Sequence, residues 1–474
     1  MTTFARTRAM HQFYRDVFTR AIHLPEADVL PAHLVVEILN YANADLDAFS
    51  ETLYDADTDL APDQDRALKL MMSAIALANA AFDGHSNGLQ TRMAPEKVTL
   101  ITDYVVEAMQ LSDNHDYLVA AIQVLFRINE IDSVLFLISN NLSLLSENAN
   151  VLKILLLICL MEEDYNQAYV VIQQLTSNPD LIGEDALTLV MVVCAIYKLG
   201  GYPDSFIDFR SLNSEAPQID TSRYEWLITP LDNGKTTVFF ACDKGYYYEH
   251  AIALLLSIYE SNGTSLNVHI HVYNCDKDIQ LHLETLREKL PGLAISLSSE
   301  YFFVQKAANV HYASRRFCFM PHALDKISGP ILILDADCLV RKPWTQCLAD
   351  NKDKEMIFAH YEGAPIWEHV PALFIYIHGG EIAKKYFATV GHFIDVNLNG
   401  DKAEWFLDQI ALTVAVDKLT PDDQLKIGRV PITELIDITH SDTAFSWAVT
   451  TVKNADGRYK DYKQQLYSKY LTQA

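Results

Sequence analysis

A change of period near residue 215 constrains this chain more than any other feature. Upstream, apolar residues recur at helical spacing in long segments, with turns marked by Gly, Pro, Asn and Asp. Downstream, short β-type runs alternate with helical ones: Thr236–Cys242, Leu266–Tyr273, "LAISL" and "PILILD" are separated by "EHAIALLLSIYESN", "IQLHLETLREKL" and "SRRFCFMPHALDKI". Strand and helix in alternation predict a doubly wound α/β domain with a mostly parallel sheet, in which ligands bind at the carboxyl ends of the strands. The chain has 474 residues, too many for one ordinary core. Two domains are expected, an all-α domain over 1–225 and an α/β domain over 226–474, joined by a polar linker around "SLNSEAPQIDTSRYEWLITPLDNGK".

Part of the helical half repeats. "INEIDSVLFLI", "EEDYNQAYVVI" and "LGGYPDSFIDF" each join two apolar stretches, and Ile131, Tyr165 and Tyr202 hold equivalent places, 34 and then 37 residues apart. A helix–turn–helix period near 34 resembles tetratricopeptide arrays, although the consensus Trp, Leu-Gly and Pro positions are poorly kept. An irregular helical bundle is the alternative, and in neither arrangement do these residues carry chemistry.

Charge narrows the partners. With 37 Lys and Arg against 62 Asp and Glu the formal charge is −25, which argues against a broad basic face for nucleic acid. The seven cysteines form no C-x-x-C pair and several sit inside apolar runs, as in a reduced cytoplasmic protein. The N-terminus has no apolar secretory core, and the run Ala186–Leu199 has the length of a buried helix, so no transmembrane segment is expected.

The stretch "PILILDADCLVRKPW" ends an aliphatic strand in Asp335 and Asp337. Burying two carboxylates costs several kcal/mol unless they are paired or bind a metal. Alternate residues of an extended chain point the same way, so both are expected to face one point. Two hard oxygen ligands suit Mg²⁺ or Mn²⁺. The alternative is a helix cap with a surface ion pair to Arg341 or Lys342. The same triplet recurs as Asp55-Ala56-Asp57, in an acidic segment with no strand before it, and is expected to be a solvated loop.

The strand with its doublet resembles the D-x-D segment of GT-A glycosyltransferases, and its surroundings are similar to the retaining family 8 type, the group of bacterial lipopolysaccharide galactosyltransferases and glycogenin. The resemblance covers Thr236 to His440, about two-fifths of the chain. It implies a UDP-sugar donor with Ala241, Asp243 and Tyr246 of "FACDKGYYYEHAIALLLSIYES" holding uracil and ribose. Arg316 of "HYASRRFCFMPHALDKISGP" would reach the donor, with Arg315 as the fallback. Asp408 and Gln409 of "EWFLDQIALTV" would contact the transferred sugar near the anomeric carbon. Asp335 and Asp337 would hold the metal, Asp335 also contacting the nucleotide, and His440 of "IDITHSDTAFSW" would be the third ligand. The Gly and Lys-Pro that follow this His in the family are missing, Trp447 alone answering to the motif's end, with Asp442 or Lys453 as the candidate substitutes. Other histidines, such as His269 and His271, are expected in the core or on the surface.

The function implied is metal-dependent sugar transfer, with retention. Separately, a helical array offers a groove suited to a polypeptide, either a protein to be glycosylated or a partner of the machinery; the alternative is a helical half that only covers the catalytic domain or makes a dimer. A nucleotidyltransferase is disfavoured because "FACDKGYYYEH" lacks a Gly-rich, Arg-containing loop. The other class that stays open is a helical-repeat adaptor with a degenerate, non-catalytic sugar-nucleotide domain.

Overall fold

The computed structural model describes residues 22–39, 46–79, 93–182, 185–214, 220–344, 353–360, 364–437, 442–448 and 457–471. The chain divides into two compact units, Met1–Leu199 and Gly200–Ala474.

The first unit is helical throughout its described residues: α1 (Ala32–Leu39), α2 (Leu46–Asp55), α3 (Pro62–Asn79), α4 (Pro95–Leu111), α5 (His115–Arg127), α6 (Ile131–Asn140), α7 (Ala149–Met161), α8 (Tyr165–Ser177) and α9 (Ala186–Lys198), with single turns between some of them. Polar caps start the helices where the period begins. Asn114, Asn148, Asp164 and Asp185 each accept a hydrogen bond from a backbone N–H of the first turn. Two helical hairpins, α5–α6 and α7–α8, are closed by the same turn. Asn129 and Glu163, 34 residues apart, are both left-handed, and the N–H groups of Glu130 and Asp164 donate to the carbonyls of Leu125 and Cys159. Ile131 and Tyr165 open the second helix of each hairpin. Tyr202 opens none; it lies in irregular chain of the other unit, because Gly200, Gly201 and Pro203 interrupt the pattern there. The apolar run of α9 is a buried helix as expected. Among the described residues no helix is long and apolar enough to cross a membrane.

The second unit is built on an eight-stranded sheet in the order β1-β4-β3-β2-β5-β8-β7-β9. Its strands are β1 (Tyr224–Ile228), β2 (Thr237–Cys242), β3 (Asn267–Tyr273), β4 (Ala294–Glu300), β5 (Ile331–Leu334), β7 (Met356–His360), β8 (Phe374–Ile377) and β9 (Ile427–Pro431). All run the same way except β1 and β8. Strands β2, β3 and β5 are buried at every position, as continuous Val, Ile, Leu and Phe runs dictate in a sheet covered on both faces. A small sheet joins β6 (Leu339–Val340), β10 (Ile436–Asp437) and β11 (Ser446–Trp447). The helices are α10 (Ile252–Asn262), entered through the π-helical turn Tyr247–Ala251, α11 (Lys277–Lys289), α12 (Ala308–Lys326), α13 (Glu381–Asn399), α14 (Leu407–Asp417) and α15 (Gly457–Tyr470).

Parts of the segment read as a linker have regular structure. Phe209–Asn213 is a 3-10 helix whose Asp208 N–H donates to buried Asn397 of α13, and Tyr224–Ile228 forms edge strand β1 against β4. Tyr224 and Trp226 pack on the rings of His269, His271, Phe319 and His322. A short strand of mixed polarity is inconspicuous in sequence because only its inner residues are apolar.

Candidate active site

Chain order turns back at β2. The path β2→β3→β4 proceeds to one side, while β5 pairs with β2 on the other, with Val238 opposite Leu332 and Phe239 opposite Ile333. The carboxyl ends of β2 and β5 therefore flank a topological switch point, where open α/β sheets leave a crevice. The loops that follow them begin with Asp243 and Asp335.

The chain after β5 does not stay extended. Leu334 is the last strand residue, and the Cys338 N–H donates to the Asp335 carbonyl at 3.0 Å, closing a turn over Asp335–Cys338. The expectation that Asp335 and Asp337 face one point by strand alternation is thus corrected: the turn sets their directions. Asp337 is buried, and the hydroxyl of Tyr459, on α15, holds its carbonyl at 2.8 Å. Burial first, and the neighbouring Asp335 charge second, push the Asp337 carboxyl up to about 8, with the Arg316 charge opposing.

Arg316, on α12, is buried and bridges two carboxylates. Its Nη1 hydrogen-bonds Asp335, while Nη2 lies 3.8 Å from Asp408 and donates to the Ala372 carbonyl at 3.3 Å. Its Nε is buried with no protein partner. Burial works against the guanidinium charge, but Asp335 and Asp408 beside it raise its pKa above the ordinary value. Burial likewise raises the Asp408 carboxyl, with Arg316 opposing and Asp335 reinforcing. Asp408 sits in the first turn of α14 and accepts from the Gln409 N–H. Phe406, just before that helix, is left-handed at φ 72°, a costly conformation for a large side chain that sets where Asp408 and Gln409 begin.

Neighbouring Arg315 points elsewhere. It pairs with buried Glu300 at 2.7 Å and lies over the Phe302 ring, because adjacent helix residues diverge by about 100°. Of the two arginines only Arg316 is brought to the doublet. The alternative pairing with Arg341 or Lys342 is also absent: Arg341 is stacked on Trp447 and Tyr462 and pairs with Asp442, and Lys342 donates to the Thr443 carbonyl.

At the end of β2, Ala241 is buried and Asp243 caps the next helical turn by accepting the Tyr246 N–H at 2.8 Å. Burial raises the Asp243 carboxyl, opposed by backbone hydrogen bonds at Asp243 and Gly245. Tyr246 is exposed beside His250, whose pKa burial lowers to about 4.

His440 and Lys453 lie outside the described residues. Asp442 is exposed and pairs with Arg458 at 3.0 Å and Arg341 at 3.7 Å, so it faces those cations and not the doublet. Trp447 is a buried residue of the small sheet. His269 and His271 are fully buried, bonded to Ser296 and Ser298. Among the described residues no three His, Cys, Asp or Glu side chains form a ready metal cluster. The donors that are present, two hard carboxylates of which one is buried against the other's charge, nevertheless suit a hard divalent cation. Tyr459 reaches the doublet from α15, and nothing in sequence marks it out among the four tyrosines of that helix as the one in contact 122 residues away.

The chain matches no protein-family model and no curated protein. Among solved structures it is similar to the glycosyltransferase GlyE of Streptococcus pneumoniae TIGR4, at 15% identity and a TM-score of 0.33 over 51% of this chain and 66% of that one. It is also similar to the bifunctional glycosyltransferase WbbM, at 12% identity and a TM-score of 0.36 over 65% of each chain. A third is the galactosyltransferase LgtC in complex with donor and acceptor sugar analogs, at 12% identity and a TM-score of 0.35 over 50% of this chain and 97% of that one. The likeness to GlyE and WbbM thus spans just under two thirds of their lengths, and at TM-scores this low none of the three bears on the chemistry of this chain.

Proposed function

We propose that the second unit is a metal-dependent glycosyltransferase that moves a sugar from a UDP-sugar donor, with retention, to an acceptor docked by the helical unit. One observation carries the reading. Arg316 joins Asp335 of the β5 turn to Asp408 of α14, with buried Asp337 alongside, at the switch point between β2 and β5.

Asp337 and Asp335, with His440, would hold Mn²⁺ or Mg²⁺. When bound, such an ion supplies Lewis-acid neutralisation of the charge that develops on a departing diphosphate. The chain's own groups do the rest. The backbone at Ala241 and the carboxyl of Asp243 offer hydrogen bonds to a base and ribose, and the exposed Tyr246 ring offers a stacking face. Arg316 holds Asp335 and Asp408 in one arrangement and sets a fixed positive charge beside the doublet. Asp408 and the Gln409 amide, fixed at the start of α14, would face the transferred sugar and stabilise positive charge developing at its anomeric carbon. Arg315, paired to Glu300, supports this end of the sheet instead of the donor. The helical unit, with two like hairpins 34 residues apart, is read as a tetratricopeptide-like platform for a protein acceptor.

The test is UDP release from UDP-glucose, UDP-galactose and UDP-N-acetylglucosamine with and without Mn²⁺. Turnover of one donor that needs the ion, and that falls by about 10²–10³-fold in Asp337→Ala, supports the assignment. Failure of the full chain to bind any of the donors overturns it in favour of the non-catalytic adaptor.

A further inference from the structure

The helical unit carries a surface that the sheet-end site does not use. Residues 98–197 contain only two Lys or Arg, Arg127 and Lys153, against 13 Asp and Glu. Neither cation faces solvent: Arg127 is 1% exposed, and the Lys153 side chain is 13% exposed and paired with Asp185 at 3.7 Å. The described surface of α5–α8 is therefore acidic without an exposed Lys or Arg among it, and the next cation along the chain, Lys198 at the end of α9, is half-buried.

Large apolar side chains stand out of this field. Phe136 on α6, Leu142 and Leu144 on the following single turn, and Tyr169 and Val170 on α8 are each at least half exposed, Phe136 reaching 66%. Their helices bury the opposite faces, Ile131, Val134 and Ile138 on α6 and Ala168, Val171, Ile172 and Leu175 on α8. The hairpins α5–α6 and α7–α8 stack through α5 and α7, so α6 and α8 are the second helices of successive layers. Isolated exposed apolar residues need no explanation, but five on the outward faces of two equivalent helices, in a stretch whose exposed charges (Asp132, Glu147, Glu163 and Asp164 among them) are all acidic, form the pattern of an interaction surface.

We infer that this face docks a basic amphipathic segment of a protein, whose apolar residues cover Phe136, Leu142, Leu144, Tyr169 and Val170 while its Lys and Arg meet the surrounding carboxylates. Charge decides the occupant. Phosphate-bearing nucleic acid and anionic lipid surfaces are repelled by a face without exposed cations. A second copy of this face would set like charge against like charge. A cationic helix presenting an apolar stripe satisfies both components. This names the chemistry of the partner read for the helical unit above, and it stands or falls without sugar transfer.

The experiment uses the full chain and fluorescence anisotropy of a labelled synthetic Lys/Leu amphipathic helix of about 18 residues. Saturable binding is expected, weakening about tenfold or more when salt rises from about 50 to about 300 mM. The surface variant Phe136→Ser/Tyr169→Ser should weaken binding at least about tenfold, and Glu147→Lys/Glu163→Lys should do the same, both with unchanged circular dichroism. Equal affinity for a Lys/Ser peptide without apolar residues would reduce the effect to bulk charge and overturn the proposal. So would full binding by both variants, or no saturable binding at all. Sedimentation showing a dimer that Phe136→Ser/Tyr169→Ser dissociates would assign the face to self-association and overturn it as well. Because no donor sugar enters the assay, its failure leaves the UDP-sugar reading intact, and the reverse holds too.

Discussion

The chain contains the tripeptide Asp-Ala-Asp twice, and the two copies have opposite fates. Asp55 ends α2, and both Asp55 and Asp57 are exposed in an ordinary interhelical segment, where Lys69 donates to the Ala56 carbonyl at 2.9 Å. Asp335 and Asp337 follow a central strand, where Asp337 is buried and repelled by Asp335, and Asp335 is tied through Arg316 to a carboxylate on another helix. Identical local chemistry thus yields a solvated turn in one unit and a strained electrostatic cluster in the other. The difference lies in what precedes each triplet, a polar amphipathic helix or four buried aliphatic residues, and in which elements the fold then brings against it.

The contrast can be broken most directly at the arginine. Arg316→Met keeps the stem but leaves Asp335 and Asp408 without their cation, and should cost about 3–5 kcal/mol by urea unfolding, as for a buried pair that loses one partner. Adding Asp335→Asn and Asp408→Asn should recover most of that; no recovery would mean the loss was one of packing. A titration sharpens the comparison next. With the Asp337 carboxyl raised above its unfolded value, the chelated protein is expected to lose stability as pH rises from about 4 towards 8, by up to about 1.4 kcal/mol per pH unit. The sign follows because over that range the folded form binds the proton and the unfolded form does not. Asp337→Asn should flatten this slope, read as the difference between the two urea profiles. A smaller effect is expected at Tyr459→Phe, which frees the Asp337 carbonyl at a cost of about 1 kcal/mol. Smallest of all, Asp57→Asn should leave unfolding within about 0.5 kcal/mol and donor turnover unchanged. A larger effect there would end the claim that the twin triplet is inert.

Much of the fold is legible in the residues. Periodicity places β2, β3, β4 and β5 and the helices between them within a few residues of where they lie, because fully buried strands must be apolar at every position and helices only on one face. It also shows that α9 is buried and that the two Asp-Ala-Asp copies differ. Other features escape it. Edge strand β1 reads as linker, and the chain divides at Leu199 and Gly200, ahead of the residue 225 boundary drawn from composition. The contact of Tyr459 with the Asp337 carbonyl joins positions too far apart for any local pattern to register.

At the candidate site, sequence alone determines that two carboxylates close a buried strand and that an arginine pair and Asp408-Gln409 lie in two later-packed helical segments, although the arginines fall in the middle of α12 and do not open it. Only the tertiary structure decides that Arg316 and not Arg315 turns to the doublet, that a tight turn and not strand alternation aims the carboxylates, and that Asp442 is committed to Arg341 and Arg458. The physical reason is range. Burial patterns are written in the spacing of neighbours along the chain, whereas the protonation and pairing of a charge depend on groups that meet it only after helices and sheet have packed.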